Sequence, residues 1–273
     1  MSAFVTDGPV DGEAGPALPA TQSTDLPLTG ERTIPGLDIE NYWFRRHEVV
    51  YQRLAERCRG CDVLEAGFGE GYGADLLAGV ARQVTGVDYD ESAVAHVRVR
   101  YPRVHAVQGN LAALPLPDGS VDVVVNFQVI EHLWDQSQFV AECARVLRPG
   151  GLLLMSTPNR ITFTPGSDTP INPFHTRELN ANELTELLVD GGFEMESVYG
   201  VFHGPRLREL DAKHGGSIID AQIARALADA PWSQDLLADV AGVVTDDFEL
   251  LESGRDDCNI DASLDLVAIA VRP

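Results

Sequence analysis

Two groups of residues in this chain of 273 could do chemistry. The first is the stretch 63–73, VLEAGFGEGYG, in which an apolar run ends in Glu65 and glycines follow at 67, 69, 71 and 73. A turn without side chains lets backbone N–H groups approach a nucleotide cofactor closely. Glu65, just before the turn, would repel a pyrophosphate but could take an ammonium. The second group is Gln128, Glu131 and His132, with His175 further on. Gln128 lies three residues before Glu131 and four before His132, so on a helix all three share one face. Either histidine could act as a general base near neutral pH. The plainer alternative is that Glu131 and His132 cap and brace the start of a helix.

The elements that must hold these groups follow from periodicity. Residues 61–66, 84–88, 104–108, 121–126 and 152–156 are short apolar runs, as expected of parallel strands covered on both faces. Helices are expected over 74–81, 92–101, 139–147 and 184–191 between and after them, giving an α/β fold with a Rossmann-like sheet. Asp88 ends the second strand, 17 residues after Gly71, where an acid can reach ribose hydroxyls. Asn110 follows the third strand, where an amide can read an adenine edge. Residues 193–201 and 264–271 are the last two strands, expected to pair antiparallel at the sheet edge. Residues 206–229 and 234–244 between them are expected to be mostly helical.

Outside this core the expected organisation is a disordered tail at 1–30, rich in Gly, Pro, Ser and Thr. A helical lid follows at 31–59, in which Arg45, Arg46 and His47 could supply a cation to a carboxylate. The core then spans 60–201, followed by a mostly helical insertion 202–263, expected to bind the acceptor on the other side of the crevice, and a final strand 264–273. Residues 157–176 carry four prolines and are too long for an ordinary connection, so a functional loop is expected there.

Composition excludes several classes. The net charge is −22 and no basic stripe offsets it, so nucleic acid is not an expected partner. No run of 18 apolar residues exists, so membrane insertion is not expected. The N-terminus lacks the features of a signal peptide, so a cytoplasmic location is expected. Cys58 and Cys61 form a C-x2-C with no second pair at zinc-finger spacing. The glycines alone do not settle the cofactor, because Gly69, Gly71 and Ala74 also satisfy the dinucleotide pattern G-x-G-x-x-A.

Taken together, VLEAGFGEGYG, GVD at 86–88, GN at 109–110, LPLPDGSVDVVV at 114–125, FQVIEHL at 127–133 and RVLRPGGLLLMSTPN at 145–159 resemble the class I S-adenosylmethionine (SAM)-dependent methyltransferases. The resemblance implies a seven-stranded sheet with SAM as cofactor. It implies SAM contacts from Gly67, Phe68, Gly69, Gly71, Asp88, Tyr89, Asn110, Leu111, Asn126 and Phe127, to which the reading of the residues above adds Glu65 and, from the lid, Arg46. Asp88 would take the ribose, Tyr89, Asn110 and Leu111 the adenine, and 126–128 would lie near the sulfonium. Gln128, Glu131, His132 and His175 resemble an E-x-x-E-H plus distal His set that binds Mg²⁺ or another divalent cation in some members. The first Glu is here Gln128, whose amide oxygen is a weaker ligand.

Longer stretches, among them GERTIPGLDIENYWFRRHEVVYQRLA, NFQVIEHLWDQ, STPNRITFTPG, TPINPFHTREL, FHGPRLREL and KHGGSIIDAQI, are similar to the actinobacterial methyltransferases of methylglucose lipopolysaccharide synthesis. That resemblance implies a neutral oligosaccharide acceptor methylated on glucose 6-hydroxyls, and Glu131, His132 and His175 of the second group are the expected catalytic residues. A methylmannose polysaccharide or a small quinone-like metabolite are the alternative acceptors, and a non-catalytic SAM-binding protein is a third. Trp43, Phe44, Phe163, Phe174, Phe202 and Trp232 are the aromatics expected to stack on sugar rings. A homodimer is left open.

Overall fold

The computed structural model describes residues 26, 32–227, 231–255 and 258–273, so the tail expected at 1–30 lies almost wholly outside the described residues. A helix, α1 (Asn41–Leu54), precedes the sheet and is flanked by 3-10 turns. Five strands follow: β1 (Asp62–Ala66), β2 (Gln83–Asp88), β3 (Val104–Gln108), β4 (Val121–Phe127) and β5 (Leu147–Pro158). Helices α2 (Tyr72–Ala78), α3 (Glu91–Arg100) and α4 (Gln136–Val146) connect them, and the short α5 (Arg160–Phe163) and α6 (Ala181–Asp190) come after β5. These first five strands pair in parallel.

The C-terminal part adds β6 (Glu194–His203), α7 (Pro205–Lys213), α8 (Ile218–Leu227), α9 (Gln234–Ala241), β7 (Phe248–Glu252) and β8 (Asp265–Val271). The strand order is β3-β2-β1-β4-β5-β8-β6-β7. One expectation is corrected here and one refined. The sheet has eight strands rather than seven, because Phe248–Glu252 in the supposedly helical segment pairs antiparallel with β6 and extends the edge. The refinement concerns the mostly helical stretch expected over 206–229, which is two helices, since Gly215 and Gly216 between α7 and α8 both hold positive φ, at 84° and 108°. That backbone cannot continue a right-handed helix.

Alternation along the central strands fills both faces. Val63, Val123, Val125, Leu154, Val267 and Ile269 join one core with α1, α2 and α3. Leu64, Val124, Leu153, Met155, Leu266 and Ala268 join the other with α4 and α6. A sheet covered on both sides leaves only its strand ends open, and the carboxyl ends of β1, β2 and β4 are where a ligand crevice forms. Among the described residues, no helix is long and apolar enough to cross a membrane.

One buried charge pair ties the N-terminal helix to the last strand. Arg46 donates to Asp265 through Nε and Nη2, both at 2.6 Å, and Nη2 also reaches the Leu264 carbonyl. Both side chains are almost fully buried. Arg46 is therefore committed to Asp265 and does not line the cleft described below, which corrects its expected place at the cofactor.

Candidate active site

A cleft of about 770 Å³ opens along the strand ends. That volume lies in the usual range for sites holding small molecules. Its floor is the glycine turn. Gly67 has φ 83° and Gly71 φ 99°, and a Cβ at Gly67 would lie 2.7 Å from the Val129 methyls, one at Gly71 2.4 Å from Val97. Both side-chain space and backbone conformation thus require glycine at these two positions. Asp88 accepts from the Gly69 amide (3.0 Å) with one oxygen and from the Asp90 amide (3.0 Å) with the other. Burial, the largest influence, raises the Asp88 pKa against these stabilising contacts.

Of the residues expected at the cofactor, the structure places Gly67, Phe68, Gly69, Asp88, Tyr89, Asn110, Leu111 and Phe127 on the cleft. Glu65, Gly71 and Asn126 do not line it. Glu65 is buried beneath, accepting from Tyr51 Oη at 2.6 Å. Asn126 is buried and donates to the Ala66 carbonyl at 2.8 Å, which binds the tip of β4 to that of β1. Gly71 caps α2 in the left-handed conformation.

Sequence reasoning missed Arg32, Thr33 and Tyr72 on the same cleft, which is also lined by His47 of the lid cluster at 45–47. Burial pushes its pKa down to about 4, so it faces the cleft as a neutral imidazole near pH 7.

The second group does not sit on a helical face. Gln128 has φ 57°, which breaks the chain direction, and only Ile130–His132 forms a 3-10 turn. The Gln128 side chain turns toward Ser156 Oγ, at 3.4 Å. Glu131, His132 and His175 do converge, with one ligand atom of each lying within 4.8 Å of the others. Gln128 lines the same cleft as His132 and His175. The two histidine rings meet edge to face at 4.9 Å. Glu131 accepts from Thr157 Oγ1 at 3.0 Å and lies 4.0 Å from His132 Nε2. Burial pushes its pKa up to about 7, opposed by His175.

The tautomers follow from the partners. His132 Nδ1 is 3.0 Å from the Phe174 carbonyl, which can only accept, so Nδ1 carries a proton. His175 Nδ1 is 2.7 Å from the Glu178 carboxylate, and its Nε2 is 3.1 Å from Asn172 Nδ2. Nε2, 4.0 Å from the Glu131 carboxylate, is the ring nitrogen of His132 that a general base would use.

Two loops hold this cluster rigidly. Thr176 donates through Oγ1 to the Glu131 and Leu133 carbonyls, and through its amide to Glu131 again. Asp135 caps α4 on the Gln138 amide, and Gln136 reaches the carbonyls of Ile130 and Arg177. On this fixed frame Trp134 is 92% exposed at the cleft rim, with Phe174 beside it in the lining at 41%.

Phe174 is the one member of the expected aromatic set that lines the cleft. Phe44 is buried against Tyr72, Trp43 packs on the core, and Phe163 stacks on His175. No described residue of 202–263 lines the cleft either. The polar residues there satisfy one another instead, in the pairs His203–Asp211, Arg206–Asp247 and Lys213–Asp239.

A doubly covered parallel sheet, a side-chain-free turn after its first strand and an acid ending its second define a Rossmann-like enzyme with a nucleoside-bearing cofactor. The family model described as a methyltransferase domain matches residues 64–155. The chain is 73% identical, over 262 residues, to a probable S-adenosylmethionine-dependent methyltransferase of Mycolicibacterium smegmatis. That match covers 96% of this chain and 100% of the relative. It is 70% identical over 275 residues to a probable S-adenosylmethionine-dependent methyltransferase of Mycobacterium tuberculosis, with 100% of both chains covered.

Among solved structures, a SAM-dependent methyltransferase of Thermotoga maritima, described as a possible histamine N-methyltransferase, superposes with a TM-score of 0.57. It shares 18% identity over 85% of this chain and 93% of that one, a likeness of fold. The chain belongs to the SAM-dependent methyltransferases.

The residues present fit SAM. Gly67 and Gly69 bring backbone without side chains to the cleft, Asp88 presents a carboxylate to it, and Arg32 Nη1 is buried there without a partner.

Proposed function

We propose that this protein is a SAM-dependent O-methyltransferase of a neutral sugar acceptor, methylating the 6-hydroxyl of glucose units in an α-1,4-glucan precursor of methylglucose lipopolysaccharide. The observation that carries the enzymatic part is His132, which lines the same cleft as the glycine turn and Asp88, with Nδ1 held by the Phe174 carbonyl. The sugar rests on the sequence motifs, and the acceptor end of the cleft is consistent with it. Leu133, Trp134, Pro173, Phe174 and Thr176 line that end without a lysine or arginine among them. Exposed aromatic faces stack on sugar rings, while imidazole and hydroxyl groups hydrogen-bond their hydroxyls.

SAM, when bound, supplies a methyl group on a sulfonium that is already a good leaving group. The chain has to align the acceptor and remove its proton. His132 Nε2 takes the hydroxyl proton as the new O–CH3 bond forms and the S–CH3 bond breaks. Glu131, 4.0 Å from Nε2, then faces the imidazolium. Thr157 and the Thr176 contacts keep Glu131 in place. His175, fixed between Glu178 and Asn172, walls the other side.

The finer reading of the same cluster is a divalent cation on Glu131, His132 and His175. Its donor set suits one, since a carboxylate and two imidazoles are ordinary ligands and both Nδ1–H groups already point at oxygen acceptors. Against it, His175 Nε2 is satisfied by Asn172. Treatment with EDTA decides this: lost activity restored by Mg²⁺ supports the cation, and unchanged activity removes it from the mechanism. The acceptor itself is tested by incubation with SAM and glucose oligosaccharides, where a 14 Da increment (the mass of one added CH2) is expected. None on any α-glucan or mannoside would end the sugar reading.

A further inference from the structure

Arg32 lies ahead of α1, on a strap pinned across the glycine turn. Its Nη2 donates to Asp90 at 2.7 Å, and Asp90 in turn caps α3 on the Ser92 amide at 2.8 Å. The next residue, Thr33, is hydrogen-bonded to Tyr72 Oη of α2 at 3.2 Å. Between these pins the Arg32 Cβ is 3.7 Å from where a Gly69 Cβ would stand. The Arg32 side chain thus leaves the backbone beside Gly69, and the strap is fixed by contacts to Asp90 and to Tyr72 of α2.

Only part of that guanidinium is used. Nη1 is buried with no hydrogen-bond partner, although Arg32 lines the cleft. A guanidinium offers five donors in a rigid fork, and a buried unsatisfied one is costly. Among the described residues lining the cleft, Arg32 is the single arginine and there is no lysine. SAM and its product S-adenosylhomocysteine each carry one anionic group, the amino-acid carboxylate.

We infer that Arg32 is the cofactor's carboxylate clamp, with Nη1 donating to that carboxylate while Asp90 holds Nη2. The arrangement assigns Arg32 the task that the sequence suggested for Arg46, and Asp90 is its positioning residue. A guanidinium held by one carboxylate and open on its other nitrogen is preorganised, so little rotamer freedom is lost on binding. The clamp selects ligands that keep the amino-acid end of the cofactor.

The test compares two ligands that differ only at that end. S-adenosylhomocysteine carries the amino-acid carboxylate, and 5′-methylthioadenosine keeps the adenosine thioether without it. Calorimetric titration of wild type and R32Q should show S-adenosylhomocysteine weakened about 10- to 100-fold, the scale of a charge-assisted hydrogen bond. Methylthioadenosine should bind both proteins alike. Equal weakening of the two ligands would make Arg32 a support for the whole cleft and overturn the clamp, as would no change in either. Where R32Q does not fold, the wild-type protein still decides. It should bind the carboxamide of S-adenosylhomocysteine about 10- to 100-fold more weakly than the acid, and equal affinities would overturn the inference.

Discussion

Tyr51 on the N-terminal helix donates a 2.6 Å hydrogen bond to Glu65 at the end of the first strand, and the other Glu65 carboxylate oxygen is buried without a partner. This pair joins the lid to the sheet directly beneath the cofactor turn. Burial pushes the Glu65 pKa up to about 8, with the Tyr51 hydrogen bond working against that rise. The group therefore folds protonated across a range in which the unfolded chain ionises.

The pH dependence follows from that difference. A carboxyl whose folded pKa lies above its unfolded value gives stability that is complete below the unfolded pKa. That stability is lost as pH rises toward the folded one. Between pH 4.5 and about 8, Glu65 should lower stability by up to about 1.4 kcal/mol per pH unit. Glu131, raised to about 7, acts in the same direction. E65Q keeps an oxygen for Tyr51 and should flatten the Glu65 share. Denaturant titrations of both proteins across this range check it, and identical pH slopes would show that Glu65 ionises normally.

Arg46 and Asp265 form a structural pair, so R46A should act on stability alone. Leaving Asp265 buried without its cation should cost about 3–5 kcal/mol. Thermal melting reads this, while the affinity of the folded protein for S-adenosylhomocysteine should stay unchanged. A selective loss of that affinity would return Arg46 to the cofactor site.

Gly67 should tolerate no side chain. G67A must hold φ near 83° and push against Val129, which lies 2.7 Å from the new Cβ. The left-handed backbone alone costs about 1–2 kcal/mol, which corresponds to roughly ten-fold or more in affinity if the turn relaxes to relieve it. Shortening Val129 to Ala in the same background should recover only the part due to the contact. Binding of S-adenosylhomocysteine to the three proteins separates the two effects.

Trp134 and His132 should divide acceptor binding from chemistry. W134A removes the most exposed aromatic on the cleft and should raise the acceptor KM about ten-fold with cofactor affinity unchanged. H132A should lower kcat by about 10²- to 10⁴-fold, the usual contribution of a positioned base. Steady-state kinetics with both substrates varied would show the opposite assignment if it held.

The parallel half of the sheet was legible because its strands are unbroken apolar runs, and Asp88 stood out as an acid ending one of them. The edge strand Phe248–Glu252 was not, because FELLE lies in an acid-rich stretch and takes its order from β6 rather than from its own pattern. Gln128 could not be placed, since one positive φ undoes a spacing argument that assumes a helix. The partner of Arg46 is 219 residues away, although a lone aspartate in the apolar run LDLVAIAV was a sign of a buried cation nearby. Arg32 borders a tail of turn-forming residues and had no periodicity to mark it. Trp43, Phe44 and Phe163 were expected to stack on sugar because sequence shows aromatic side chains and not what they pack against.

The central claim is that the acceptor is a sugar hydroxyl, and its most direct measurement is NMR of a product made with 13C-methyl SAM and a defined α-1,4-linked glucose oligosaccharide. A new methyl signal correlated to C6 of a glucose unit is the predicted result. The absence of any methyl ether on glucans and mannosides alike, with SAM turned over on another acceptor, would contradict it.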